Sequence, residues 1–267
     1  MVLAITNQKG GVAKTTSTHA LGVALAERSR SVLLVDLDPQ ASLSWACGVD
    51  PDALEISIHD VMLKRVKPGD ALLPLAPPTA IDPALPRARL DLLPSTIDLA
   101  GAELHLLTKT GREYVLRKAL AKVLDEYDVV LIDCPPSLGI LTINGLTAAD
   151  GVVIPLQCET LSHRGVGQLL ETIADVRAYT QPDLTVLGAV ATMFDGRSRH
   201  PRDIAADVTA RYGIPVLEPA VPRSIRFAEA PASGVSILDH APSSSGAAAY
   251  RELAVQIRAT TQELRNV

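Results

Sequence analysis

Short apolar runs recur along the chain and alternate with longer stretches in which apolar positions return every three to four residues. The runs at 2–6, 32–35, 90–93, 129–132, 151–155 and 184–191 are dominated by Val, Leu, Ile and Ala, and they read as strands buried on both faces. Helical spacing predicts helices over 15–27, 97–107, 113–126, 138–149 and 162–179, with a last one from about 245 to 264. Strand–helix alternation of this kind predicts repeated βα units, hence a single α/β domain over 1–267 with a mostly parallel sheet flanked by helices. The stretch 68–86, rich in Pro and Ala, reads as a surface excursion, because strands continue on both sides of it. No repeat is visible, and nothing resembles a separate helix-turn-helix.

Composition narrows the picture. Hydrophobic residues make up 47% of the chain and aromatics only 3%, so the core has to be filled by small and branched aliphatics. The net charge of −5 means that any nucleic-acid contact must come from a local basic patch. The three cysteines Cys47, Cys134 and Cys158 form no C-x-x-C pair and suit a reducing, cytoplasmic compartment. The first residues lead directly into an apolar strand without a charged leader, and no run approaches the ~18 apolar residues of a membrane span, so neither secretion nor membrane insertion is expected.

The chemistry begins at "NQKGGVAKTTS", between the first strand and the first helix. A standard phosphate loop reads G-x-x-x-x-G-K-[ST], whereas counting back from Lys14 places Ala13 and Gln8 at its two glycines. Gly10 and Gly11 nevertheless free the backbone to aim several N–H groups at one anion, next to the positive end of a helix dipole. Lys14 would then reach the β- and γ-phosphates and Thr15 would hold Mg²⁺. Two further apolar strands end in acids, in "DLDPQAS" (Asp36, Asp38) and "DCPPSLG" (Asp133), at the sheet edge where open α/β folds bind ligands. No histidine spacing points to a transition metal.

With K-G-G-x-x-K-T in place of the standard loop, the chain resembles the ParA/MinD family of deviant Walker ATPases, and among them the chromosomal, Soj-like ParA proteins. The resemblance extends through "DLDPQ", "DCPPS" and "PRSIRFAEAP" over nearly the whole chain. It implies an Mg²⁺-dependent ATPase with Lys9, Lys14 and Asp38 in catalysis, Asp38 positioning the attacking water, and Thr15, Asp38 and Asp133 at the metal. Nucleotide contacts would come from Lys9, Gly10, Gly11, Val12, Ala13, Lys14, Thr15 and Thr16, with Pro222 and Ser224 at the base and Met193 nearby. Lys9 would reach into the site of a second subunit, so the ATP-bound form would be a homodimer. Arg197, Arg199, Arg202, Arg223 and Arg226 would bind double-stranded DNA without sequence preference, and a ParB-type partner would trigger hydrolysis on the nucleoid. Two other readings stay open: a MinD-like positioning ATPase without DNA affinity, and a metabolic relative such as an amidoligase. The final helix, with an apolar stripe at Leu253, Ile257 and Leu264, is expected to pack on the domain and not on a membrane.

Overall fold

The computed structural model describes residues 1–78, 88–158, 162–195 and 200–265, without the side chains of 162–164, 200–205 and 261–265. Along the chain run β1 (Val2–Ile5), α1 (Lys14–Ala26), β2 (Ser31–Asp36), α2 (Ser42–Ala46), α3 (Ile58–Met62), β3 (Leu73–Pro74), β4 (Arg89–Leu93), α4 (Leu99–Leu106), α5 (Val115–Leu120) and β5 (Val129–Asp133). They are followed by α6 (Ile140–Ala148), β6 (Gly151–Gln157), α7 (Ser162–Tyr179), β7 (Thr185–Thr192), α8 (His200–Tyr212), β8 (Val216–Leu217), α9 (Arg226–Ala232), α10 (Ile237–His240) and α11 (Ser245–Arg265).

The strands form one eight-stranded sheet in the order β3-β4-β2-β5-β1-β6-β7-β8. Only the two-residue β3 runs antiparallel, against β4. Apart from Ser31 at the start of β2, the central strands β1, β2 and β5 are buried throughout, which explains why they lack an alternating polar face. Helices cover both sides. One core joins Leu33, Val35, Val130 and Ile132 to residues of α3 through α7, and the other joins Leu3, Ile5, Leu34 and Leu131 to α1, α10 and α11. Tyr250 of α11 is fully buried and hydrogen-bonds Ser17 of α1 at 2.9 Å, and Leu253 and Ile257 of the predicted stripe are buried, so α11 packs on the domain there; the Leu264 side chain lies outside the described ones.

The topology places the site. Adjacent parallel strands put Asp36 level with Asp133 at the carboxyl ends of β2 and β5, and Asp133 level with Ile5 of β1. The loop after β1 thus emerges beside both acids, at the crevice where strand order reverses.

The sequence pattern misses several short elements. The expected helix over 113–126 is instead a 3₁₀ turn at Arg112–Tyr114, the short α5, and another 3₁₀ turn at Leu124–Glu126. The helices α2, α3, α8, α9 and α10 are not anticipated. Of the surface excursion, a 3₁₀ turn (Pro68–Ala71) packs beside α3 with Pro68 and Ala71 buried, β3 forms the sheet edge, and 79–87 fall outside the described residues.

Candidate functional site: a phosphate loop beside two buried carboxylates

The loop after β1 is anchored at several points. The Asn7 side chain donates to the Pro155 carbonyl at 2.8 Å and accepts from the Lys9 N–H at 3.0 Å, tying the loop to β6. Thr192 of β7 donates to the Val12 carbonyl at 3.0 Å. Gly11 takes φ +71°, in the left-handed region. A Cβ at the exposed Gly10 would meet no heavy atom within 4 Å. Ala13 stands where the standard loop has glycine, and its φ of 66° and ψ of 35° keep the left-handed turn despite the methyl group. Its carbonyl accepts from Ser17 N–H at 2.9 Å, so α1 starts directly from this residue.

Lys14 is buried, and its ammonium donates to the Lys9 carbonyl at 3.1 Å. Burial lowers its pKa, while the charges of Asp133 and Asp38 act the other way. Thr15 Oγ1 donates to Asp133 Oδ2 at 2.7 Å, and Thr18 Oγ1 lies 3.3 Å from the other carboxylate oxygen. Asp133 is pushed up to about 8, first by burial and then by the Asp36 charge beside it. Burial also lifts Asp36 to about 6, although it accepts bonds from Ser44 N–H (2.8 Å), Ser44 Oγ (2.7 Å) and Asp38 N–H (3.2 Å). Asp36 thereby fastens α2 to the end of β2. Asp38 is half-buried and accepts from the Gln40 N–H at 2.9 Å, which fixes the bend after β2.

These donors suit a hard divalent cation. Two neighbouring buried carboxylates are held in an environment that penalises their charge, which a cation would relieve. The Thr15 hydroxyl spends its proton on Asp133 and keeps its lone pairs free for ligation. An oxygen-only set with few protein ligands is the chemistry of Mg²⁺ held together with phosphate, and among the described residues no cluster of three His, Cys, Asp or Glu offers a self-sufficient metal cage.

Beside the loop, Ala13, Thr16, Met193, Pro222 and Ser224 line a pocket of about 230 Å³. Two segments distant in sequence are drawn together there, Phe194 N–H donating to Val221 O at 2.9 Å and Arg223 N–H to Phe194 O at 3.3 Å. Ser224 Oγ accepts from the Arg226 N–H at 3.3 Å, at the start of α9. Arg223 and Arg226 are exposed. Arg197 and Arg199 lie outside the described residues, and Arg202 belongs to α8 with its side chain undescribed. Asn7, Thr18, Thr192 and Tyr250 carry no motif, and only their contacts reveal that they brace the site.

Residues 1–186 match a family model described as an AAA domain. Over 258 residues, 96% of this chain and 93% of the relative, the sequence is 41% identical to the chromosome partitioning protein ParA of Caulobacter vibrioides. The chain belongs to the ParA/MinD family of P-loop ATPases. A ParA/MinD fold is also found in the septum site-determining protein MinD of Pyrococcus horikoshii, complexed with Mg-ADP, at 25% identity and TM-score 0.75 over 96% of this chain and 95% of that one. A Mycobacterium smegmatis structure named cobyrinic acid a,c-diamide synthase, with bound ADP and magnesium, reaches 52% identity and TM-score 0.82 over 95% of this chain and 92% of that one. Among the described residues no helix is long and apolar enough to cross a membrane.

Proposed function

We propose that this chain is a DNA-partitioning ATPase that binds Mg²⁺-ATP, closes as a two-chain sandwich, holds double-stranded DNA without sequence preference, and lets go when a ParB-type partner stimulates hydrolysis. The observation that carries the reading is the meeting of Lys14, Thr15, Asp38 and Asp133 at three adjoining strand ends, in a chain of the ParA/MinD family. Gly10 and Gly11 let the loop backbone approach the phosphates, while Lys14 and the N-terminal turn of α1 neutralise them. Thr15 and the two acids Asp38 and Asp133 would hold Mg²⁺, which supplies charge neutralisation at the phosphate oxygens. Asp38, half-buried and turned by its bond to Gln40, would orient the attacking water. No covalent intermediate is needed, since positioning and charge stabilisation carry phosphoryl transfer. The base would enter the pocket between Pro222, Ser224 and Met193. Lys9 would complete the site of the second chain.

Retention on bulk duplex DNA tests this function. It should require ATP and fall to background when Arg197 and Arg226 are both replaced by Ala; retention that ignores both nucleotide and the substitutions removes the DNA step. Vesicle binding with ATP, without DNA retention, would move the chain to the MinD-like branch.

The name carried by the Mycobacterium smegmatis structure favours a second reading, ATP-dependent amide synthesis. A glutamine-dependent amide synthase needs an activated thiolate. Here burial holds Cys134 and Cys158 as thiols, Cys158 pushed up to about 11, and Cys47 is raised in the same direction. Ammonia release from glutamine, assayed with ATP and cobyrinic acid, should stay at background; turnover would replace the partitioning proposal.

A further inference from the structure

Away from the nucleotide edge, α5 and the turn after α3 enclose an open cleft of about 570 Å³. Its floor is apolar, formed by Val61, Val66, Val115 and Ala119. Its rim carries Lys64, Arg65, Lys67, Lys118 and Lys122, against a single lining carboxylate, Asp70. In a chain of net charge −5, five cations around one concavity make a local reversal of sign.

The rim is short of internal partners. Arg65 reaches Asp60 at 3.4 Å, and Lys118 Nζ lies 6.0 Å from the centre of the Tyr114 ring. Lys64, Lys67 and Lys122 are exposed, and their ammonium groups make no hydrogen bond or ion pair among the described residues. Lys64 adopts φ +61° at the end of α3, with Lys64 N–H on Val61 O at 3.0 Å and Arg65 N–H on Asp60 O at 2.8 Å. That geometry is the glycine-favouring helix stop. A lysine there stands in a backbone conformation that disfavours a side chain.

We infer that this cleft docks an acidic, amphipathic segment of a partner protein, whose apolar residues lie on the Val61–Val66–Val115–Ala119 floor while its carboxylates meet the lysine rim. An apolar floor inside a concave cleft suits such a segment better than a rigid duplex, whose phosphates would sit on the rim and leave the floor unfilled. The cleft also lies over the opposite sheet face from α1 and α10, the layer to which α9 with Arg226 is attached. A molecule holding DNA through α9 therefore keeps the cleft open for a second tether. The inference does not depend on the DNA-binding proposal, because the cleft shares no lining residue with the phosphate loop or the arginine segments.

The test uses fluorescence anisotropy with a labelled amphipathic peptide of Glu and Leu residues as probe, on the full chain. Binding should weaken with added salt and drop about tenfold or more in the double variant Lys64→Glu/Lys118→Glu. Arg223→Ala/Arg226→Ala should bind the peptide as the unaltered chain does. Nucleotide affinity and the melting curve report whether the charge-reversed protein is folded, and Lys67→Gln/Lys122→Gln supplies a milder variant if it is not. Failure of the peptide to bind, or equal binding by the lysine variants, overturns the proposal. Loss of duplex DNA retention in the lysine variants, matching that of the arginine variants, would overturn it in favour of a nucleic-acid surface.

Discussion

Lys14 has two opposing influences on its charge, burial on one side and the Asp133 and Asp38 carboxylates on the other. A bound triphosphate adds to the second. Lys14→Ala should therefore weaken nucleotide binding by roughly a hundredfold, the ~3 kcal/mol scale of a charge-assisted contact, as read by titration calorimetry; unchanged affinity would remove Lys14 from the site. Asp38→Ala should keep nucleotide yet stop phosphate release if Asp38 orients the attacking water as proposed. His19, on α1, titrates differently. Burial lowers it to about 4 from 6.5, so the unfolded chain takes up a proton that the folded one refuses. Its own contribution to stability is full above about pH 6.5 and is lost as pH falls towards 4, by about 3 kcal/mol in total, while the raised Asp36 and Asp133 act in the opposite direction over that range. The difference in stability between the unaltered chain and His19→Gln, from denaturant melts at stepped pH, should show this slope, and a difference that does not change with pH would contradict it.

At the scale of elements, the loop and the helix it launches are shaped by single backbone positions. Gly10 has open space where a side chain would go, so Gly10→Val should leave the monomer's melting temperature unaltered and act only where a second surface approaches. Gly234 is the opposite case: with φ +67° and the Gly48 Cα 2.7 Å from any added Cβ, Gly234→Ala should destabilise by about 1–3 kcal/mol and loosen α9 from the turn after α2. Ala13→Gly should gain about 0.5–1 kcal/mol by removing a methyl from a left-handed residue, less the extra freedom it gives the unfolded chain; a lower melting temperature would contradict that reading. The six longer strands were legible in sequence because burial leaves unbroken aliphatic runs, whereas the two-residue β3 and β8, only partly buried, were not. The stretch 113–126 was not, because its helical spacing does not reveal that Gly111, at φ +65°, and the turn at Leu124–Glu126 leave room for only six residues of α-helix. Short helices such as α2 have too few positions to display a period, and α2 is fixed by Ser44 on Asp36.

At the scale of the molecule, the phosphate loop and its acids could be read from sequence because each follows an apolar strand, and the parallel sheet then sets Asp36 beside Asp133 without further information. The pocket proposed for the base needed the family resemblance, since nothing local says that Pro222 will lie near Ala13 and Thr16. The braces Asn7, Thr18 and Thr192 stayed hidden for the same reason: their partners Pro155, Asp133 and Val12 are distant in sequence. The central claim, that one chain holds only part of the catalytic apparatus, belongs to this scale. Lys9 and the open face of Gly10 are what a second chain would meet. Multi-angle light scattering of Asp38→Ala protein in saturating Mg²⁺-ATP tests it most directly. The account predicts a doubling of mass that is lost in ADP and in Gly10→Val/Asp38→Ala; a single-chain mass at every protein concentration in ATP would contradict it.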